Sequence, residues 1–416
     1  VLTFAKKDLT MIQTKYLSLI LVALLLLTFP ITAQDNRTLD TQVADLLVQI
    51  PADNEQDLVK QMEEMLQLGE AGQQKILDLV IPPGTGDDTQ ARMAVESLSR
   101  HMSQPGMEMQ KNSWESLILK KIEQDSDAYV KSFFISQLYY IGSEASVEVL
   151  SSYLKDPQLH DPAIRVLRDA VPEKAAGIFA QQLENSADRV TIALVNAIKE
   201  TGNREHAAAV AQLAGSDSPE LQRSVLACLA VLGHPDSYKL LSKAASASKY
   251  MPEPTNATGS LLTYAETLAQ QQQSELSLKI CKQVGKKSKT SDQMHFKSRA
   301  LTTGASNFGI EEAVPYLAKA LESENKQYRM AAIDYAIAED SPVEPWYPVL
   351  ESASSPEVKT EILYLFGQLN RKRTATLVTS YLKDPDPRVR EQALKSVALI
   401  RKDDAVPHLI KHLVDY

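Results

Sequence analysis

Apolar residues recur along this chain at spacings of three and four, the period of one face of an α-helix. The pattern is clearest near the end. Leu377, Val378, Tyr381 and Leu382 share one side of a first helix. Asp384-Pro385-Asp386-Pro387 stops it, because a residue before proline avoids the helical region and proline cannot continue a helix. The same prolines suit the first turn of a second helix, and Asp384 or Asp386 can accept its free amide hydrogens. Val389, Ala393, Val397 and Ile400 then follow at spacings of 4, 4 and 3. Asp403-Asp404 opens a third helix carrying Val406, Leu409, Ile410 and Leu413. With Asp384 as a cap, Asp384→Ala is expected to cost about 1 kcal/mol. So short a helix pair cannot bury its apolar face alone and needs another pair stacked on it.

The unit recurs. Turns fall at Asp125-Ser126-Asp127, Asp156-Pro157, Asn185-Ser186 and Asp217-Ser218-Pro219, about thirty-one residues apart. They resume at Ser323-Glu324-Asn325, Ser354-Ser355-Pro356 and Asp384-Pro385 with the same spacing. Ser152-Tyr153-Leu154-Lys155-Asp156-Pro157 repeats without change from Ser380 to Pro385. The stretch Glu312 to Leu321 parallels Asp404 to Leu413, with Pro315 and Pro407 each expected in a first helical turn. A turn residue precedes a cation by six in four places: Asp125 and Lys131, Asp217 and Arg223, Ser323 and Arg329, Asp384 and Arg390. The repeat after Asp156 carries an insertion, with Arg165 too far along.

Asp384-Pro385-x-x-x-Val389-Arg390-x-x-Ala393-Leu394 resembles the HEAT-repeat signature. The resemblance implies an all-α fold, an α-α superhelix or HEAT/armadillo-like solenoid. It also implies that the four turn–cation pairs form a ladder between neighbouring repeats. Lys131 in place of Arg and Ser323 in place of Asp depart from that ladder. Length and the two-helix period give roughly nine or ten repeats. Separately, Gly86-Asp87-Asp88-x-x-Ala91-Arg92-x-Ala94 resembles the opening of a HEAT-like region in exported bacterial proteins, where it precedes a 3-keto-disaccharide hydrolase-type domain.

Residues 1–33 read as a secretory signal. Lys15 precedes an apolar run from Leu17 to Phe29, too short to span a membrane, followed by Pro30 and a small-residue exit at Thr32-Ala33. Met11 is the expected start, and cleavage after Ala33 would leave Gln34 first. The expected organisation is then a helical region over 34–112 and a repeat solenoid over 113–416, irregular at 245–300. In the first region a short helix is expected around Val43–Ile50, helical periodicity from Glu55 to Val80, and a helix over Thr89–Met102 capped by Asp87 or Asp88. In the irregular part, Tyr250 to Asn256 is a loop, Gln270 to Gln273 is polar, and Lys279, Lys282, Lys286, Lys287 and Lys289 form a basic cluster.

The chain has 416 residues and a formal charge of −9. Residues 1–33 carry a net +2 from Lys6, Lys7, Lys15 and Asp8, so the remainder stands near −11. That argues against a general nucleic-acid binder. Only 15 glycines favour helix over sheet. Cys228 and Cys281 sit inside apolar helical patterns as small core residues, although an exported protein permits a disulfide. Asn36-Arg37-Thr38 and Asn256-Ala257-Thr258 match the glycosylation pattern and read as chance matches.

Catalytic and metal chemistry find little support. Pro82-Pro83-Gly84-Thr85-Gly86 lacks the Gly-Lys-Ser/Thr ending and preceding strand of a phosphate loop. His408 and His412 share a helix face, but no third ligand is evident, and Leu409 stands where a zinc protease needs Glu. His101, His160, His206, His234 and His295 are scattered. Trp114 and Trp346 fit core packing between repeats, with sugar stacking the alternative. The basic cluster fits a solvated helix end or the site of an acidic partner or anionic glycan. No catalytic residue, metal ligand or cofactor is assigned. The expected function is an exported, non-catalytic scaffold binding a protein or glycan through its concave surface, with partner contacts concentrated on the central loop. The alternative is the front of a sugar-acting hydrolase or lyase whose catalytic domain lies beyond Tyr416, where the chain stops on an unpaired helix.

Overall fold

The computed structural model describes residues 37–184, 188–406 and 410. The signal segment with Met11 and Ala33, Asn36, the Asn185-Ser186 turn, Pro407, and His408, Leu409, His412 and Leu413 lie outside the described residues. Among those described, the chain is 76% helical, with 22 α-helices and no strand. None of these helices is long and apolar enough to cross a membrane. The chain divides into two compact units, one ending at Gln104 and one beginning at Pro105.

Among the described residues the first unit holds four helices: α1 (Leu39–Val48), α2 (Glu55–Gln67), α3 (Gly69–Asp78) and α4 (Thr89–Met102). Val43, Leu46, Met62, Met65, Ile76, Leu77, Val95 and Leu98 form its core. The periodic stretch from Glu55 is two helices, because Gly69 takes φ +65° between them. Thr38 and Asn54 cap α1 and α2 with their side chains. The Pro-Gly segment is a turn. Asp87 Oδ1 accepts the Thr89 amide at 3.1 Å, while Asp88 Oδ2 accepts the Ile81 amide at 2.9 Å and pairs with Arg92.

Among its described residues the second unit is nine helix pairs in series. They are α5 (Glu108–Gln124) with α6 (Ala128–Ile141), α7 (Ser146–Ser151) with α8 (His160–Ala170), and α9 (Pro172–Gln181) with α10 (Arg189–Thr201). Then come α11 (Ala207–Ala211) with α12 (Pro219–Leu232), α13 (Ser237–Ala247) with α14 (Ala257–Gln270), and α15 (Ser274–Lys287) with α16 (Met294–Ala305). The last are α17 (Ile310–Ala318) with α18 (Lys326–Ala338), α19 (Tyr347–Ser352) with α20 (Pro356–Leu369), and α21 (Ala375–Ser380) with α22 (Pro387–Arg401). The even-numbered helices form an unbroken row, each packed on the next from α6 to α22. This is the all-α solenoid that the periodicity predicts.

Several of the long helices start by one device. The second residue of the turn-to-helix step caps it: Asp127 for α6, Ser218 for α12, Asn325 for α18, Ser355 for α20 and Asp386 for α22. Pro219, Pro356 and Pro387 occupy first-turn positions, where their missing N–H costs nothing. At the closely packed α20–α22 crossing, a Cβ on Gly367 would meet Ser396 Oγ at 2.8 Å and its Cα at 3.2 Å. The buried Ser396 hydroxyl donates to the Leu363 carbonyl at 2.7 Å.

Two expectations are corrected here. Pro315 lies inside α17, not in its first turn, because that helix already begins at Ile310. The 245–300 segment contains two ordinary helix pairs, and only its connections are unusual. Lys249, Tyr250 and Asn256 take positive φ. With Asn256 left-handed, its side chain does not cap α14. Instead Glu253 accepts the amides of Thr255 and Ala257 at 2.6 and 2.7 Å.

Candidate functional site

The turn–cation positions define one edge of the second unit. In five of the turns a residue accepts the amide two residues on. Asp125, Asp156 and Asp384 do this with a carboxylate at 2.8–3.0 Å, and Ser216 and Ser323 with a hydroxyl at 3.2 Å. Asp384 is therefore not the helix cap. Asp386 is, accepting the Arg388 amide at 2.8 Å. A carboxylate two residues before the cap pre-forms the turn, and the cap then meets the free helix amides.

The residue six positions later reaches back to the same turn. Arg329 Nη1 donates to the carbonyls of Ser323 and Glu324 at 2.8 and 3.0 Å. Arg390 Nη1 does so to Asp384 and Pro385 at 2.9 and 3.0 Å. Ser323–Arg329 and Asp384–Arg390 thus meet through main-chain oxygen and not through the turn side chain. The Asp217–Arg223 pairing is corrected, because both residues sit one place out of register relative to the Ser218 cap. The structural equivalents are Ser216 and Gln222, and Gln222 Nε2 donates to the Ser216 carbonyl at 2.5 Å. After Asp156 the helix starts one residue later, and the His160 ring takes this place, its Nδ1 2.8 Å from the Asp156 carbonyl.

The same six-later position also reaches forward to the next repeat. Lys131 Nζ contacts Tyr153 Oη at 3.3 Å and lies 5.1 Å from the ring centroid. Lys359 pairs with Asp384 at 3.0 Å and lies 6.0 Å from the centroid of Tyr381. Tyr153 and Tyr381 are the tyrosines of the repeated hexapeptide, so identical sequence lies beside a lysine of the preceding repeat in both places. Arg329 reaches Glu361 with two bonds of 2.8 Å. Sequence reading passed over Lys359 and Glu361, whose partners lie 25 and 32 residues away. It also passed over Arg299, which joins α16 to Glu266 and Thr263 of α14. Glu115 on α5 is buried and accepts the Ser143 amide and the Ser143 and Ser146 hydroxyls, tying α5 to the start of α7.

The remaining candidates are structural. Trp114 and Trp346 are fully buried, and Trp346 Nε1 donates to Ser341 Oγ at 3.0 Å. Cys228 and Cys281 are free, buried thiols, and burial pushes each up to about 12. No group of three His, Cys, Asp or Glu side chains able to hold a metal occurs among the described residues. Tyr264, inside α14, is fully buried and donates its hydroxyl to the His234 carbonyl at 3.0 Å.

A family model of HEAT repeats matches residues 343–415. Two solved structures share the fold. A chain of the Kap95p–RanGDP structure aligns with a TM-score of 0.50 and 12% identity, over 91% of this chain and 58% of that one. A chain of Kap121p bound to Nup53p aligns with a TM-score of 0.50 and 15% identity, over 90% and 46%. This chain therefore spans about half the length of each, and the likeness is one of fold. A search of curated proteins gives no match. The resemblance of Gly86 to Ala94 to the front of hydrolase-type proteins gains no support from these comparisons.

Proposed function

We propose that this chain, an all-α solenoid of HEAT repeats, is a non-catalytic scaffold that holds a protein partner along its concave surface. One observation carries the reading: the row of nine long helices in which each packs on the next. Such a row offers an extended surface whose length grows with repeat number, suited to partners too large for a single cleft. The fold likeness to chains crystallised with RanGDP and Nup53p supports a protein as the occupant.

The same proposal has the chain working outside the cytoplasm, on the strength of Lys15, the apolar run Leu17 to Phe29 and the exit at Ala33. N-terminal sequencing of the natural product, with Gln34 first, tests that part.

The binding test is affinity purification of the full chain after chemical crosslinking, followed by a hydrogen-exchange footprint of the reconstituted complex. Protection should run over several consecutive even-numbered helices. A footprint confined to one repeat, or an occupant that proves to be a glycan, contradicts the reading. Deleting residues 250–259 is unsuited to this purpose. It would remove the buried Tyr250 and the first turn of α14, so surface charge variants are the better probe.

A further inference from the structure

The segment from Ser237 to Lys289 reverses the charge of its surroundings. It carries eight lysines, no arginine and three acids in a chain of net −9. Two of those acids are already engaged. Glu253 accepts the amides at the start of α14, and Glu266 pairs with Arg299. Only Glu275 is left, exposed in the first turn of α15. None of the eight lysines forms an ion pair among the described residues, whereas lysines elsewhere do, as in Lys155–Glu184 and Lys395–Glu391. Lys286 and Lys287 lie in the last turn of α15, where the helix dipole favours cations. That explanation does not extend to Lys239, Lys243 and Lys279, which lie outside any last turn.

Two of these lysines line a shallow surface hollow, and Lys279 and Lys286 lie on the helix beside it. Between α13 and α15 lies an open hollow of about 600 Å³, with Lys239 and Lys243 on one wall. Lys279, Gln283 and Lys286 share one stripe of α15, at spacings of four and three. Gln283 organises the floor. It accepts from Tyr238 Oη at 3.2 Å and donates to Ser242 Oγ at 3.0 Å and Tyr250 Oη at 2.8 Å. Lys279 Nζ stands 5.1 Å from the Tyr238 ring centroid. The floor is held by its own bonds, with Lys239 and Lys243 in its lining and Lys279 over the Tyr238 ring, none of them in an ion pair among the described residues.

We propose that this cleft is a docking site for an acidic, extended segment of a partner protein. The proposal rests on the reading of the chain as a protein-binding scaffold and adds a second contact, on the odd-numbered helices α13 and α15 and separate from the even-numbered row. Carboxylates along the segment would meet the rim lysines, and its backbone would meet the hydroxyls and amide of the floor. A rim made only of lysine suits diffuse carboxylate recognition and lacks the guanidinium forks that favour phosphate. The net acidity beyond the rim repels a long polyphosphate, while a short acidic run touches only the basic patch.

The test is fluorescence anisotropy of the full chain with a labelled glutamate-rich peptide, at low salt and at about 0.5 M salt, where surface charge is screened. The peptide should bind at low salt. Lys243→Glu with Lys279→Glu should weaken it at least about tenfold, since like charges are then juxtaposed. Reversing the exposed Lys120 and Lys372 instead should change little, with helix content by circular dichroism unaltered in both variants. No peptide binding, unchanged affinity in the cleft variant, or equally tight binding of a DNA strand of matched charge overturns the proposal. A partner footprint on other repeats without peptide binding here overturns the cleft alone. The absence of a protein footprint anywhere overturns the scaffold reading itself.

Discussion

Arg329 and Glu361 form a bidentate ion pair across the packing of α18 on α20, with both N···O separations 2.8 Å and the side chains 8% and 7% exposed. The remaining Arg329 nitrogen is held by two turn carbonyls. The pair therefore joins one repeat's turn to the next repeat's helix with its charges nearly dry. Removing one partner leaves the other buried and uncompensated. Glu361→Gln should destabilise the second unit by about 3 kcal/mol, whereas Arg329→Met with Glu361→Leu should recover most of that loss. Urea denaturation followed by circular dichroism reads both. Equal loss in the single and double variants would show that the ion pair is not what the site requires.

Asp384 serves the turn and the neighbouring repeat together. Its carboxylate accepts the Asp386 amide and the Lys359 ammonium, each at 3.0 Å. Asp384→Ala should cost about 2 kcal/mol, the scale of a charged hydrogen bond lost from a buried site. Asp384→Asn, which keeps an oxygen for the amide, should cost less. Wild-type stability for the alanine variant would mean that this link contributes nothing.

These positions mark how far the sequence is legible. Pro387, the 4-4-3 apolar spacing and the recurring turns announce the helix pairs, because those signals are local. The choice between Asp384 and Asp386 is not local, since either oxygen can reach a free amide and only the backbone path decides. At Asp217 the charged residue drew attention from Ser216, which holds the equivalent place in the turn. Glu253 as the cap of α14, Glu361 as the partner of Arg329 and Glu266 as the partner of Arg299 depend on tertiary folding. The repeat period brings residues 32 or 33 apart onto neighbouring units, but it does not say which side chains there will pair. The lysine cluster was visible in sequence, but the cleft was not, because Lys239 and Lys243 lie some forty residues before the rest of it.

Acid should loosen the C-terminal repeats first. Arg388 bridges Glu357 at 2.7 Å and Asp386 at 2.8 Å. Glu357 is held down to about 2 from 4.5 by the Ser355 hydroxyl, its own backbone and Arg388, and Asp386 to about 2 from 3.8 chiefly by Arg388. Both folded values lie below the unfolded ones. Their stabilisation is therefore present above the ordinary carboxylate range and is lost as the pH falls from there towards 2. The opening free energy from hydrogen exchange in α20 and α22, taken relative to the intrinsic exchange rate at each pH, should fall over that window, and Arg388→Ala should flatten the fall. A pH-independent opening free energy in the wild type contradicts the assignment.

Cys228 and Cys281 should be silent towards a thiol reagent. Both are buried, with burial raising each thiol to about 12, so almost no thiolate exists near neutral pH. Ellman's reagent should count no reactive thiol in the native protein at pH 8 and two in denaturant. Fewer than two after unfolding would reveal a disulfide.

The central claim is that the second unit is a linear stack in which each repeat is stabilised only by its neighbours. Native-state hydrogen exchange of Glu361→Gln, resolved helix by helix, tests it most directly. The account predicts lost protection in α18, α20 and α22 and the helices beside them, with α6, α8 and α10 unchanged. A uniform loss from α6 to α22 would contradict it, because the whole unit would then unfold as one cooperative body.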